Sequence, residues 1–207
     1  FAKLMGCKNE AELLTRLDYI THYIPESPKA LRALVKMLRN QGHLLACEVE
    51  CRRIDGSGFW GVLNARYKDD DDSGCFVDVS IADITEKKLN ENKLHYIANH
   101  DALTGVGNRV RFEGELAEAL DASKHSERVF ALLFMDLDQF KIVNDTCGHK
   151  AGDELLKQLA SLFQRHVGKY DSIARMGGDE FVILLVDCHV EHALKVGERL
   201  RKEVSEY

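Results

Sequence analysis

Ser172-Ile173-Ala174-Arg175-Met176-Gly177-Gly178-Asp179-Glu180-Phe181-Val182-Ile183-Leu184-Leu185-Val186 is the stretch that decides the fold. Two β-type runs, Ser172 to Met176 and Phe181 to Val186, are joined by only four residues, Gly177-Gly178-Asp179-Glu180. That spacing predicts a β-hairpin, with the glycines supplying the positive φ that such a turn needs. Upstream, Val129 to Met135 is a continuous apolar run, the pattern of a strand buried on both faces. Leu155, Leu159, Leu162 and Phe163 stripe a helix that begins after Gly148, and Phe112, Leu116 and Leu120 form one apolar face of an earlier helix. A last helix carries Ala193, Leu194, Leu200 and Val204. The order helix, strand, helix, hairpin, helix predicts an α/β sandwich with helices packed on a central sheet.

Toward the start of the chain the pattern changes. Asn9 with Glu12 predicts a capping box opening a helix through Leu13, Leu14 and Leu17. Pro25 and Pro28 interrupt the chain, and Pro28 opens a second helix reaching Asn40. Three β-type runs follow, Leu44 to Arg53, Phe59 to Lys68 and Cys75 to Ala82, with turn-rich gaps that predict an antiparallel meander. The acidic run at 69–72 reads as a solvated hairpin tip. From Thr85 to His100 there is no glycine or proline, and the apolar positions Leu89, Leu94 and Ile97 are sparse. Such a polar helix is a connector or one strand of a short coiled coil, and it marks the domain boundary.

With 207 residues there is room for two small domains. A charged fraction of 30% and 45% hydrophobics describe a globular chain, not a disordered one. The net charge of −6 argues against a nucleic-acid binder, which needs basic surface against phosphates. No apolar run approaches the ~20 residues of a membrane helix. The six cysteines form no C-x-x-C pair, so free thiols and a cytoplasmic location are expected. The chain opens on Phe1 without a signal peptide and reads as a fragment.

Two acidic clusters fall at strand tips: Asp136 and Asp138, and Asp179 and Glu180. Should those strands be neighbours, hard carboxylate oxygens gather in one place, the donor set of Mg²⁺ sharing its shell with phosphate. That is a layout for metal-assisted phosphoryl transfer. The alternative is that these acids cap strands and solubilise a hairpin.

Gly177-Gly178-Asp179-Glu180-Phe181, preceded by Arg175, resembles the signature of GGDEF domains, the diguanylate cyclases. Asp101-Ala102-Leu103-Thr104-Gly105 with Asn108-Arg109 is similar to that family's opening motif. Asp136-Leu137-Asp138-Gln139-Phe140-Lys141, with Asn144-Asp145, Gly148-His149 and Gly152-Asp153, is similar to its middle segment. Together these motifs cover residues 101 to 181. More loosely, Phe1 to Leu14 and Gly58 to Thr85, with Asp83-Ile84-Thr85 at the exit, resemble a PAS domain.

The resemblance implies an α+β PAS-type antiparallel sheet with helices at 1–85, its first strands missing. A connector helix at 86–98 would follow, then a GGDEF nucleotidyl-cyclase, palm-like α/β sandwich at 99–207 with an incomplete C-terminus. It implies an enzyme, a diguanylate cyclase condensing two GTP into cyclic di-GMP and two pyrophosphates across a homodimer. Mg²⁺ or Mn²⁺ would be held by Asp136, Asp179 and the Leu137 carbonyl. Glu180 would be a further metal ligand or assist deprotonation of the 3′-hydroxyl. Asn144 and Asp153 match the guanine-reading pair, whose amide and carboxylate suit a guanine edge. Lys141 matches a phosphate contact, and Gly177 and Gly178 let backbone approach nucleotide. The alternative is a non-catalytic GTP-binding module regulating an attached phosphodiesterase domain. No PAS ligand is assigned.

Several finer expectations follow. Phe140 and Phe181 are core anchors, Cys147 fills core, and His149 is a structural hydrogen-bonding residue. Arg109 closes a salt bridge with Asp101 or a nearby acid. Many family members carry R-x-x-D before the signature, where product binds and inhibits. Here the segment is Gly168-Lys169-Tyr170-Asp171, without the guanidinium that would grip product, so that site is degenerate and product inhibition weak or absent.

Overall fold

The computed structural model describes residues 1–17, 19–24, 27–70 and 74–206. It divides into two compact units, Phe1–Asn92 and Lys93–Tyr207.

In the first unit, α1 (Glu10–Arg16) starts where the Asn9 side chain accepts the Glu12 N–H. Glu12 reaches back to accept the Lys8 N–H at 2.8 Å, one residue before the N-cap N–H that a capping box uses. Helix α2 (Pro28–Gln41) is capped by Ser27, carries Pro at its first position and ends at Gly42, φ +73°. Pro25 lies outside the described residues. Strands β1 (His43–Arg52), β2 (Gly58–Asp70) and β3 (Gly74–Asp83) form the expected antiparallel meander in the order β1-β2-β3. Strands β2 and β3 pair as far as Asp70 and Gly74, so the ladder runs into the acidic run, whose residues 71 and 72 lie outside the described residues. Met5, Leu13, Leu38, Leu44, Cys51, Phe59 and Leu63 form the buried core. Helix α3 (Thr85–Asn99) buries no residue, as its thin apolar content predicts. Asp83 starts it by accepting the Thr85 N–H and pairs with Arg53 at 2.6 Å.

The second unit is an α/β sandwich. Its elements are β4 (Gly107–Asn108), α4 (Arg109–His125), β5 (Phe130–Met135), α5 (Phe140–Cys147), α6 (His149–His166), β6 (Ser172–Gly177), β7 (Glu180–Val186) and α7 (Val190–Ser205). The sheet order is β4-β6-β7-β5, with β4 parallel to β6 and the other pairs antiparallel. Strand β7 is central and buried on both faces, and its alternation sorts two cores. Val182 and Leu184 pack with Phe112 and Ala119 of α4. Phe181, Ile183 and Leu185 pack with Phe163, Leu159 and Leu200 of α6 and α7.

Three expectations need correction. Strand β5, read as buried on both faces, lies at the sheet edge among the described residues. Ala131, Leu133 and Met135 face the α6–α7 core, but Leu132 and Phe134 are 47% and 60% exposed. On this face of β5, among the described residues, only Phe130 packs against the α4 cluster; the main contacts of α4 are with β6 and β4. The α4 stripe runs through Phe112, Leu116 and Ala119, and Leu120 is exposed. Finally, α5 is an extra helix between β5 and α6. Gly148, φ +85°, ends α5 and begins α6, a backbone conformation that a side chain would strain.

Candidate functional site

The hairpin is tighter than its sequence spacing suggests. Gly177 pairs with Glu180, so only Gly178 and Asp179 form the tip, and the ladder is irregular at Met176, between Arg175 and Gly177. Gly177 has φ +148° and Gly178 φ +54°. A Cβ on either would meet nothing within 4 Å, so glycine is required here for backbone conformation and not for room.

Arg175 holds the turn from beneath. Its Nε and Nη2 donate to the Gly178 carbonyl at 2.9 and 2.7 Å, and its Nη1 donates to Asp101 Oδ1 at 3.1 Å. Asp101 Oδ1 also accepts from the Thr104 N–H at 2.9 Å and from Thr104 Oγ1 at 2.6 Å. Partial burial works to raise the Asp101 carboxyl, but the Thr104 hydrogen bonds and the Arg175 guanidinium together hold it below its ordinary value. Arg109, expected on Asp101 or a nearby acid, reaches Glu113 at 4.0 Å. The sequence reading gives Arg175 no role, because its partner lies 74 positions away.

The acids stand at one end of the sheet. Met135 of β5 faces Phe181 of β7, so Asp136 follows at the same edge as Glu180 and the hairpin tip. Asp136 and Asp138 are exposed, and Asp179 and Glu180 are half-buried. Among the described residues, none of these four carboxylates has a hydrogen-bond or ion-pair partner. Among the described residues, too, no three His, Cys, Asp or Glu side chains gather closely enough to hold a metal by themselves. The donor set nevertheless suits a hard divalent cation: carboxylate oxygens from neighbouring strand ends, without a protein partner among the described residues, that leave most of a cation's shell to other oxygens. Buried Leu137 uses its carbonyl to accept the Phe140 N–H at 3.2 Å, which leaves one lone pair free.

Between Asp138 and α5, Gln139 takes φ +64°, a conformation that side chains other than glycine, Asn and Asp adopt at a cost. It turns the chain so that α5 leaves the strand end at once. Lys141 is exposed in the first turn of α5, and Asn144 lies half-buried near its end. Asp153 is exposed in the first turns of α6. Helices α5 and α6 pack together. Phe181 is fully buried, edge-on to Phe163 at 5.3 Å, and Phe140 is packed against the same core. Cys147, expected in the core, is exposed. His149 starts α6 with no side-chain hydrogen bond among the described residues.

The segment before β6 is closed on itself. Asp171 Oδ2 accepts the Gly168 N–H and Oδ1 accepts the Val186 N–H, both at 2.9 Å. A Cβ on Gly168 would lie 2.8 Å from Asp171 Oδ2. The Asp171 carboxylate thus serves backbone groups of its own fold.

A family model described as diguanylate cyclase, GGDEF domain matches residues 98–207, just over half of the chain. A probable diguanylate cyclase of Escherichia coli K12, DgcE, is 46% identical over 127 residues, which is 61% of this chain and 12% of that protein. A cyclic di-GMP phosphodiesterase of Shewanella oneidensis, PdeB, is 38% identical over 62% of this chain and 14% of its own length. The chain therefore spans about an eighth of these relatives. Among solved structures, the coiled coil and GGDEF domain of DgcB from Caulobacter crescentus, in complex with c-di-GMP, superposes with a TM-score of 0.57. It is 28% identical over 60% of this chain and 65% of that one.

Proposed function

The chain belongs to the family of diguanylate cyclase GGDEF domains, and from that premise we propose that it condenses two GTP into cyclic di-GMP and two pyrophosphates. The observation that carries the reading is the pair of carboxylates, unpartnered among the described residues, on the two-glycine hairpin, held by Arg175 beside the Asp136 end of β5. Carboxylates at adjoining strand ends with no protein partner among the described residues carry charge that only a cation would neutralise.

In this reading Asp136, Asp179 and the Leu137 carbonyl hold Mg²⁺ or Mn²⁺. The ion, when bound, neutralises phosphate charge and makes the α-phosphorus more electrophilic. Lys141 meets phosphate as a point charge. Gly177 and Gly178 leave room for nucleotide over the turn. Asn144 and Asp153 read the guanine edge. The 3′-oxygen of one GTP attacks the α-phosphorus of the other, pyrophosphate leaves, and the hydroxyl proton passes to a base; a second such step closes the ring. Glu180 either completes the metal site or receives that proton. A Glu180→Gln variant separates the roles: loss of a base flattens the alkaline rise of the pH–rate profile, while loss of a ligand raises the Mg²⁺ requirement.

Each protomer of a homodimer would present one GTP, and unit Phe1–Asn92, an antiparallel meander with helices, would be a PAS-type sensor joined through α3. The test is turnover of GTP and Mg²⁺ by the full-length protein beside an Asp179→Ala control, with products separated. Cyclic di-GMP from the wild type alone supports the cyclase. The name of PdeB, a phosphodiesterase that shares the matched region, favours a second reading, a GTP-binding module regulating an attached phosphodiesterase domain. Tight GTP binding without product would select it.

A further inference from the structure

Gly152 lies buried in the first turn of α6, against α5. Its φ is not in the left-handed region, so the backbone does not demand glycine, and alanine would favour the helix. What the position demands is room. A methyl built on Gly152 would fall on Asn144 Oδ1, with Asn144 Cγ 3.0 Å away and Phe140 Cζ 3.2 Å away. The Asn144 carboxamide is half-buried on the bare backbone of α6 and has no hydrogen-bond partner among the described residues. A methyl there would displace the end of one short side chain. The fold can absorb that movement, but the carboxamide cannot keep its place.

We propose that Gly152 is a positioning residue for purine recognition. Its missing side chain seats the Asn144 carboxamide on the same turn of α6 that ends in Asp153, so that amide and carboxylate address one guanine edge together. The inference rests on the guanine-reading role proposed for Asn144 and Asp153. It assigns selectivity to a residue that touches no ligand.

The test uses the full-length chain with 3′-deoxy-GTP, which lacks the attacking hydroxyl and reports binding alone, and with 3′-deoxy-ITP, which lacks the 2-amino group. Gly152→Ala should bind 3′-deoxy-GTP at least tenfold more weakly and lose most of the preference over 3′-deoxy-ITP. In an Asn144→Ala background the same substitution should change neither, since the methyl then has nothing to displace. A folded Gly152→Ala protein with wild-type affinity and preference overturns the inference. Should Gly152→Ala fail to fold, the double variant decides. Folding like Asn144→Ala supports the inference, because the conflict was with Asn144. Unfolding overturns it, because Gly152 then serves helix packing against Phe140. Failure of the wild type to bind 3′-deoxy-GTP overturns the nucleotide reading itself, and is recognised separately.

Discussion

Arg175 and Asp101 lie 74 positions apart and meet at 3.1 Å, with the same guanidinium also holding the Gly178 carbonyl twice. One side chain thus ties the hairpin tip to the turn that follows α3. The fork is what makes this possible, since a lysine ammonium is a point charge and cannot span both partners in a fixed plane. Arg175→Lys and Arg175→Ala should both lower GTP turnover by tenfold or more. Arg175→Ala should also lose about 1–3 kcal/mol in urea unfolding, because Asp101 is left partly buried without its cation, and Arg175→Lys less, because the ammonium keeps the charge and loses the fork on Gly178. Equal activity in the lysine variant would show that charge alone suffices.

The same pair predicts an acid limb in stability. The folded Asp101 carboxyl lies below its ordinary value of 3.8, so the folded state resists the proton that the unfolded state accepts. The contribution is therefore full above the unfolded value and is lost as pH falls through about 4 toward the lower folded value. Unfolding free energies of wild type and Asp101→Asn should differ at pH 6 and draw together as pH falls below about 4. A difference independent of pH would assign the effect to shape instead.

Asp136 and Asp179 should separate activity from stability. Their carboxylates have no protein partner among the described residues, so Asp136→Ala and Asp179→Ala remove no internal interaction. Each should abolish turnover by at least a hundredfold while stability stays within about ±0.5 kcal/mol, or rises as like charges are relieved. Unfolding midpoints beside rates of cyclic di-GMP formation would check this. A large destabilisation would mean that the acids are structural.

Asp171 should show the reverse. Its oxygens accept the Gly168 and Val186 N–H groups, so Asp171→Ala should destabilise the fold by about 1–2 kcal/mol. Adding cyclic di-GMP should leave the initial rate unchanged in wild type and variant alike. Product inhibition that disappears in Asp171→Ala would restore this segment as a product site.

The parts of the fold that were legible in the sequence are those written in short spacings. The hairpin, the α6 stripe, the Asn9 start of α1 and the meander each depend on residues within a turn or two of one another. Strand β5 was misread because a run such as Ala131 to Met135 is the same whether a helix covers one face or both; only the reach of α4 distinguishes them. Helix α5 was missed because eight residues give too short a period, and it starts from Gln139 in a left-handed conformation without a side-chain cap. For the proposed site, it is the motifs that name the acids, Lys141, Asn144 and Asp153. The roles of Arg175 and Gly152 are three-dimensional: one is a bond across the sheet end, the other an absence of atoms beneath a neighbour's carboxamide.

The edge position of β5 bears on how the molecule behaves in a tube. Among the described residues its outer row of amide and carbonyl groups is not taken up by another strand, and Leu132 and Phe134 stand exposed beside it. Neither lysine nor proline interrupts the six residues, the devices by which edges ordinarily repel one another. Two copies of these 207 residues, expressed alone, would extend the sheet by meeting edge to edge, so concentrated stocks of that polypeptide will tend toward self-association, and light scattering will rise with concentration faster than for a protected sheet. A charge at Phe134, as in Phe134→Lys, is the change that would keep such stocks clear.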